Sequence, residues 1–233
     1  MPYDFSPNPN PHIEILHVGN EKQPVLVVDD CLLAPQAVVD FAATEVQFGP
    51  PKQMYPGIVA PTPREYVNGL MTVLAPLIRD TFGVSIERAR VNSFFATVTL
   101  RPEQLNVGQR LPHIDTPNPT QIAILHYLCD ASHGGTAFYR HRATGFESCD
   151  NDQFMQVVKM LQEDEAANGP LAATYITGSN RIYEQTAQVD AKFNRVLIYR
   201  SRVFHSASIS TTANFSPDPR VGRLTANTFL AFQ

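Results

Sequence analysis

The sequence predicts a mainly β protein with flanking helices, an α+β chain whose antiparallel strands form one barrel or sandwich. Three observations carry this. Beyond residue 89, five stretches rich in β-branched and aromatic residues recur between turn signals, at 89–100, 121–128, 136–142, 193–200 and 223–232. Helical periodicity is concentrated before residue 89, so the helices are expected to support the strands and not to alternate with them. With 233 residues and 43% hydrophobic content, the chain is long enough to bury a real core, and a single domain spanning 1–233 is expected.

The elements follow in order. Residues 1–11 are broken by prolines and asparagines and read as an extended arm. A support region of strand and helix spans 12–88. In it "PVLVVDD" (24–30) reads as a short strand, and "APQAVVDFAATE" (34–45) reads as a helix with Pro35 in its first turn. Five prolines and two glycines within 48–63 are too many for an element interior and predict an ordered surface loop overhanging a site. Apolar residues at spacings of three and four make 64–82 an amphipathic helix, with a kink expected at Pro76. The β core occupies 89–233 and is interrupted by an excursion at about 144–190. Within that excursion a helix over 151–167 is opened by the capping candidates Asp150 and Asn151.

Composition excludes several classes of function. The formal net charge is −4, the pI is near 5.9, and the 18 Lys and Arg are scattered, so neither nucleic acid nor an anionic membrane is an expected partner. No basic segment followed by an apolar run opens the chain, and no stretch is long and apolar enough for a membrane span, so a cytoplasmic protein is expected. Cys31, Cys129 and Cys149 are odd in number without C-x-x-C spacing, which predicts reduced thiols. A G-x-S-x-G elbow and a phosphate-cradling glycine loop are both missing, which removes support for nucleophilic catalysis and nucleotide binding.

The stretch "LPHIDTPNP" holds His113 and Asp115 two residues apart. On an extended strand they share a face and present an imidazole and a carboxylate to one point. Two histidines and one carboxylate form the facial set that holds iron(II) with positions left open. A distant histidine must then complete it, and His205, after the apolar strand at 196–199, is the best candidate. Other histidines offer alternatives. His126 alternates within a strand, facing outward or sitting satisfied in the core. His133, His141 and Asp130 form a rival metal set without a strand-phase argument. Gly134-Gly135 reads first as a tight turn or bulge. Arg140 and Arg142 are either solvated strand-end charges or anchors for an acidic substrate, and Asn92 and Tyr55 are either pocket-edge or structural residues.

The order His113-x-Asp115, Tyr127-Leu128, Gly134-Gly135-Thr136-Ala137-Phe138, His205 and Arg223 resembles that of the iron(II)- and 2-oxoglutarate-dependent oxygenases, in particular the prolyl-hydroxylase-like branch. The whole chain also resembles a bacterial group of such oxygenase-like proteins. The resemblance implies a double-stranded β-helix, a jelly-roll or cupin-like barrel buttressed by the N-terminal helices. It implies iron(II) held by His113, Asp115 and His205, with O2 and 2-oxoglutarate as co-substrates and Arg223 pairing with the distal carboxylate of 2-oxoglutarate. Guanidinium suits that task, because its planar fork matches a carboxylate and stays charged in an interior. Thr225 shares the strand face of Arg223 and adds a hydroxyl, and Tyr127 is a further donor to the same carboxylate. The loop between His205 and Arg223 is longer than usual in the family, which leaves Arg220 as a competitor; Arg223 is preferred because it opens a strand.

The activity implied is hydroxylation of a small-molecule or peptidyl substrate, since relatives that halogenate typically lack the carboxylate that Asp115 supplies. Two alternatives stand beside it: a barrel that binds or assembles without turnover, and a cupin-like metal dioxygenase that does not use 2-oxoglutarate. Oligomeric state is not legible.

Overall fold

The computed structural model describes residues 3–52, 54–210 and 213–232. Met1 and Pro2 of the expected arm lie outside these. Ten strands and three helices follow in chain order: β1 (His12–Val18), β2 (Gln23–Asp29), α1 (Pro35–Thr44), β3 (Gly57–Pro61), α2 (Arg64–Phe82), β4 (Ala89–Val98), β5 (Ile122–Tyr127), β6 (Gly135–His141), α3 (Asn151–Asn168), β7 (Tyr183–Asp190), β8 (Arg195–Arg200), β9 (His205–Ser208) and β10 (Leu224–Phe232). They form two antiparallel sheets, a seven-stranded one ordered β1-β2-β8-β5-β10-β4-β3 and a three-stranded one ordered β7-β6-β9. The expected mainly β architecture with antiparallel sheets and flanking helices is present, and among the described residues no ladder closes the two sheets into one barrel.

The apolar strands owe their texture to burial on both faces. From β2, β5 and β8, the side chains Leu26, Val28, Ile122, Ile124, Val196 and Ile198 pack with Val38 of α1 and Leu70, Leu74 and Ile78 of α2. The opposite faces of the same strands bring Val25, Val27, Ala123, Tyr127, Leu197 and Tyr199 against Phe138 and Val189 of the small sheet. A third cluster sets Val157 of α3 on Tyr139, Tyr183 and Phe204. The helices therefore flank the two sheets, and the space between the sheets is the second core.

Local chemistry explains the helix ends. The Asp150 carboxylate accepts from Gln153 N at 2.9 Å while Gln153 Oε1 accepts from Asp150 N at 3.0 Å, a reciprocal capping box at the start of α3. Gly83 ends α2 at φ 69°, its N–H donating to Arg79 O at 2.9 Å. Pro76 does not divide α2, which runs as one element through it. Pro76 and Thr72 are both exposed, so the carbonyl freed at Thr72 faces water.

Other expectations change. The arm is fastened along its length: Asn8 N donates to Cys31 O at 2.9 Å, Leu33 N to Ser6 O at 3.0 Å, and buried Phe5 meets Tyr66 and Phe41 edge-on. The proline-rich loop contains β3, whose partner is β4. The excursion at 144–190 ends in β7, a strand of the small sheet, because Tyr183, Ala187 and Val189 find partners on β6 despite the polar residues between them. No helix of the described residues is long and apolar enough to cross a membrane. All three cysteines are free and buried.

Candidate metal centre

His113 lies on an extended segment that runs antiparallel to the start of β9. His113 N donates to His205 O and His205 N to His113 O, each at 2.9 Å. Residues paired this way send their side chains to the same face, and the two rings stand 4.5 Å apart between centroids. Asp115 is held two residues on by its N–H donating to Ser201 O at 2.8 Å. Its Oδ1 lies 3.8 Å from His113 Nε2 and 3.7 Å from His205 Nε2. These separations exceed a hydrogen bond and fall within the span of one ion bonded at roughly 2 Å to each donor.

Among the described residues, His113, Asp115 and His205 form the only cluster of His, Cys, Asp or Glu suited to a metal, with ligand atoms all within 4.8 Å of one another. His205 is fixed in one tautomer, because its Nδ1 lies 2.9 Å from Val203 O and must donate to it. The lone pair is thereby left on Nε2, on the side of Asp115. The Tyr199 ring meets His205 edge-on at 4.8 Å. Burial pushes His205 down to about 4, against the hydrogen bond to Val203. His113, half of whose side chain still meets solvent, is also lowered to about 4, by loss of hydration on its inner side and then by His205, with Asp115 opposing. Burial raises Asp115 to about 6, against the pull of His113 and a hydrogen bond with Ser201. Both rings are thus neutral at pH 7, the state in which imidazole binds a metal. The His113 side chain is 53% exposed and the other two are 16% and 8%, so the cluster opens to solvent on the His113 side.

Arg223, just ahead of β10, is buried. Its Nε donates to His133 O at 3.2 Å and its Nη2 to Gly135 O at 3.0 Å, and its guanidinium lies 5.7 Å over the Tyr127 ring. No carboxylate pairs with it among the described residues. A buried, uncompensated cation costs several kcal/mol, so an anion is the natural partner of this group. The Tyr55 hydroxyl stands beside Arg223 and Thr225, is itself buried, and makes no hydrogen bond of ordinary geometry. Thr225 pairs with Tyr127 in the β10–β5 ladder, and Tyr127 Oη shares a 2.6 Å hydrogen bond with Thr136 Oγ1. Tyr199 meets His205 edge-on, Tyr127 lies under the Arg223 guanidinium, and both rings belong to the core between the sheets, so the metal cluster and the buried arginine border one interior.

The remaining candidates lie elsewhere. Arg220 is exposed and pairs with Asp40 at 3.7 Å, which removes the competitor to Arg223 from the interior. His126 faces the helices, hydrogen-bonded to Tyr66 Oη at 2.8 Å and Asn194 Oδ1 at 3.3 Å, a satisfied core histidine. His133 pairs with Asp130 at 3.3 Å, but His141 sits at the opposite end of β6, so the three form no set; His133 Nε2 is bonded to Val221 O, and His141 Nδ1 to Thr144. The register irregularity beside Phe138 and Tyr139 lies in β7, where Thr186 is the extra residue, so β6 keeps its alternation and it is ion pairing that takes Arg140 out of reach of a ligand. Arg140 binds Glu147 and Glu184, and Arg142 binds Asn180 O. Asn92 is exposed on the outer end of β4. Sequence reasoning missed Tyr199. The signal was available, since Tyr199 shares its strand phase with Leu197 and lies six residues before His205.

A described solved structure, the crystal structure of a novel N-substituted L-amino acid dioxygenase from Burkholderia ambifaria AMMD, is similar at 9% identity and a TM-score of 0.36, over 91% of this chain and 82% of that one. No curated protein matches the chain. A model of a family of unknown function, DUF6445, matches residues 9–230, and the chain belongs to that family.

Proposed function

We propose that the chain is a non-haem iron(II)- and 2-oxoglutarate-dependent oxygenase that hydroxylates a small-molecule or peptidyl substrate. The observation that carries this reading is the convergence of His113, Asp115 and His205 on one point, in the same interior as an unpaired, buried Arg223. The donor set suits iron(II): two neutral imidazoles and one carboxylate leave further positions free. When bound, iron and 2-oxoglutarate together supply oxygen activation coupled to loss of carbon dioxide from the keto acid.

The residues of the chain have separate tasks. His113, Asp115 and His205 hold the metal, with Val203 O fixing the ring of His205. Arg223 takes the distal carboxylate of 2-oxoglutarate on its planar fork. The orphaned Tyr55 hydroxyl adds a donor to the same carboxylate, which gives it the partner it lacks within the chain, and Thr225 can join it only by turning its hydroxyl away from Ala96 O, to which it donates at 3.4 Å. Tyr127 is already bonded to Thr136 and shapes the wall beneath Arg223. Tyr199 and Phe138 fill the space between the sheets and keep water out of it. The open side of His113 leaves a path for the substrate.

The strand order supports reading the two sheets as a double-stranded β-helix. From β4 onward the chain alternates between them except at β6 and β7, a consecutive pair in the small sheet: β4, β5, β8 and β10 enter the large sheet in the order β4-β10-β5-β8, while the His113 segment, β6, β7 and β9 line up as His113 segment-β9-β6-β7. Each ligand-bearing segment of the small sheet is thus followed by a strand of the large one.

Anaerobic titration of apoprotein with iron(II) and then 2-oxoglutarate tests the reading. The expected result is the weak visible charge-transfer band of the metal chelate. In Arg223→Gln the band should require roughly tenfold or more additional 2-oxoglutarate, the loss of a charged hydrogen-bond pair, with iron affinity unchanged. Iron binding with no band in the wild type would overturn the use of 2-oxoglutarate.

A further inference from the structure

Outside this interior, a solvent-open cavity of about 670 Å³ is lined by Arg200 and Arg202, by Pro119 and Thr120 of the loop that follows Asp115, and by Ser148 and Gln153 at the start of α3. Its position ties it to the metal cluster. Arg200 and Arg202 flank Ser201, whose carbonyl accepts the Asp115 N–H and whose side chain bonds the Asp115 carboxylate. A molecule seated against the two arginines lies one residue away from a metal ligand.

The charges in the cavity are unbalanced. The Arg202 side chain makes no hydrogen bond or ion pair among the described residues, and its Nε is buried without a partner. Arg200 donates to Pro119 O at 2.8 Å and Phe82 O at 2.9 Å, which occupies two of its five N–H groups and neutralises nothing. Both guanidinium-bearing residues line this one cavity. Glu21 also lines the cavity, yet its carboxylate is committed to Ser148 Oγ at 2.6 Å, Glu147 N at 3.0 Å, Gln23 Nε2 at 3.1 Å and Ser148 N at 3.3 Å, and it pairs with neither arginine. Two arginines against one carboxylate that bonds neither leave an excess of positive charge, which an anion between them would offset.

We propose that this cavity is an oxyanion subsite in which Arg202 and Arg200 hold a carboxylate or phosphate group of the substrate beside the metal centre. As a substrate subsite it rests on the oxygenase reading; as an anion site it does not. The substrate class it selects is an acidic metabolite or a residue bearing an acidic group, anchored by bidentate contacts to the arginines.

The test is a titration of the full chain with inorganic phosphate and, separately, acetate, following the Arg guanidinium Nε–H resonances by NMR, in the wild type, Arg202→Gln, Arg202→Lys and Arg200→Lys. The expected result is saturable binding of one anion or both, with the Arg202 signal moving, and which anion saturates tells carboxylate from phosphate. Affinity should drop about tenfold or more in Arg202→Gln and less in the two lysine variants, with the thermal midpoint kept because Arg202 has no partner to lose. No saturable binding of either anion, or binding unchanged in Arg202→Gln, overturns the subsite. The 2-oxoglutarate chelate band is read in the same samples. An intact band without anion binding sinks the subsite alone, whereas Arg202-dependent anion binding without the band sinks the oxygenase reading and leaves the anion site standing.

Discussion

His205 owes its readiness as a ligand to a single bond, Nδ1–H to Val203 O at 2.9 Å, which turns the lone pair of Nε2 toward Asp115. The pH dependence of metal binding follows from the three ionisations. Metal competes with protons for its ligands, and Asp115, raised to about 6, is the first of the three to protonate on acidification, while His113 and His205 stay neutral down to about 4. Iron affinity is therefore expected to fall roughly tenfold between about pH 7 and about pH 5 and more steeply below about pH 4. Titration calorimetry at several pH values checks this, and a flat profile across that range contradicts the assignment of Asp115.

His126 gives a stability prediction with its own sign. Burial lowers it to about 4, against the hydrogen bond to Asn194, so between its ordinary value of 6.5 and about 4 the unfolded chain binds a proton that the folded chain does not. Stability contributed by the neutral ring is present above 6.5 and is lost as pH falls through this window. The melting temperature of His126→Gln should fall less over the same window than that of the wild type; parallel curves would refute the assignment.

At the scale of elements, the turn before β6 and the cap of α3 make opposite predictions. Gly134 has φ 92°, and a Cβ built there would lie 1.9 Å from Ser208 O on β9. Gly134→Ala should cost about 3 kcal/mol or more in denaturant unfolding and weaken iron binding as well, because β9 carries His205. Asp150→Ala removes the capping box of α3, which packs on the outer side of the small sheet. The expected loss is about 1 kcal/mol with iron affinity intact.

The same scale shows what could be read from sequence. β2, β4, β5, β6, β8 and β10 were legible because burial on one or both faces forces β-branched and aromatic residues into short runs. β9 was hard to see: "HSAS" has four residues and exists because β6 and the His113 segment lie on either side of it. β3 hides among prolines, β7 is mostly polar, and β1 is an edge strand with Ile13 and Ile15 exposed. Tertiary pairing, not propensity, makes these strands.

For the whole molecule, the spacing of His113, Asp115 and His205 along the chain was informative because strand phase and order alone bring them together. Arg223 was preferred over Arg220 on local grounds, since it opens a strand; it is buried, whereas Arg220 is exposed and paired with Asp40. Arg200 and Arg202 were invisible as a pair: alternation along β8 gives no sign that Arg202 lies beyond the strand end, with its Nε buried and unpartnered beside the loop after Asp115. Arg140, by contrast, looked available, and Glu147 and Glu184 consume it. Contacts between segments far apart in sequence decide which charges are free.

Metal binding to the folded chain alone should also raise its melting temperature with iron concentration, as mass action requires. The central claim is that three side chains from two segments make one metal site, and equilibrium iron(II) binding under anaerobic conditions tests it most directly, comparing the wild type with His113→Ala, Asp115→Ala and His205→Ala. The account predicts one iron per chain in the wild type and loss of that binding in each variant, while circular dichroism shows the fold retained. Absence of stoichiometric binding in the wild type, or its persistence in Asp115→Ala and His205→Ala alike, would contradict it.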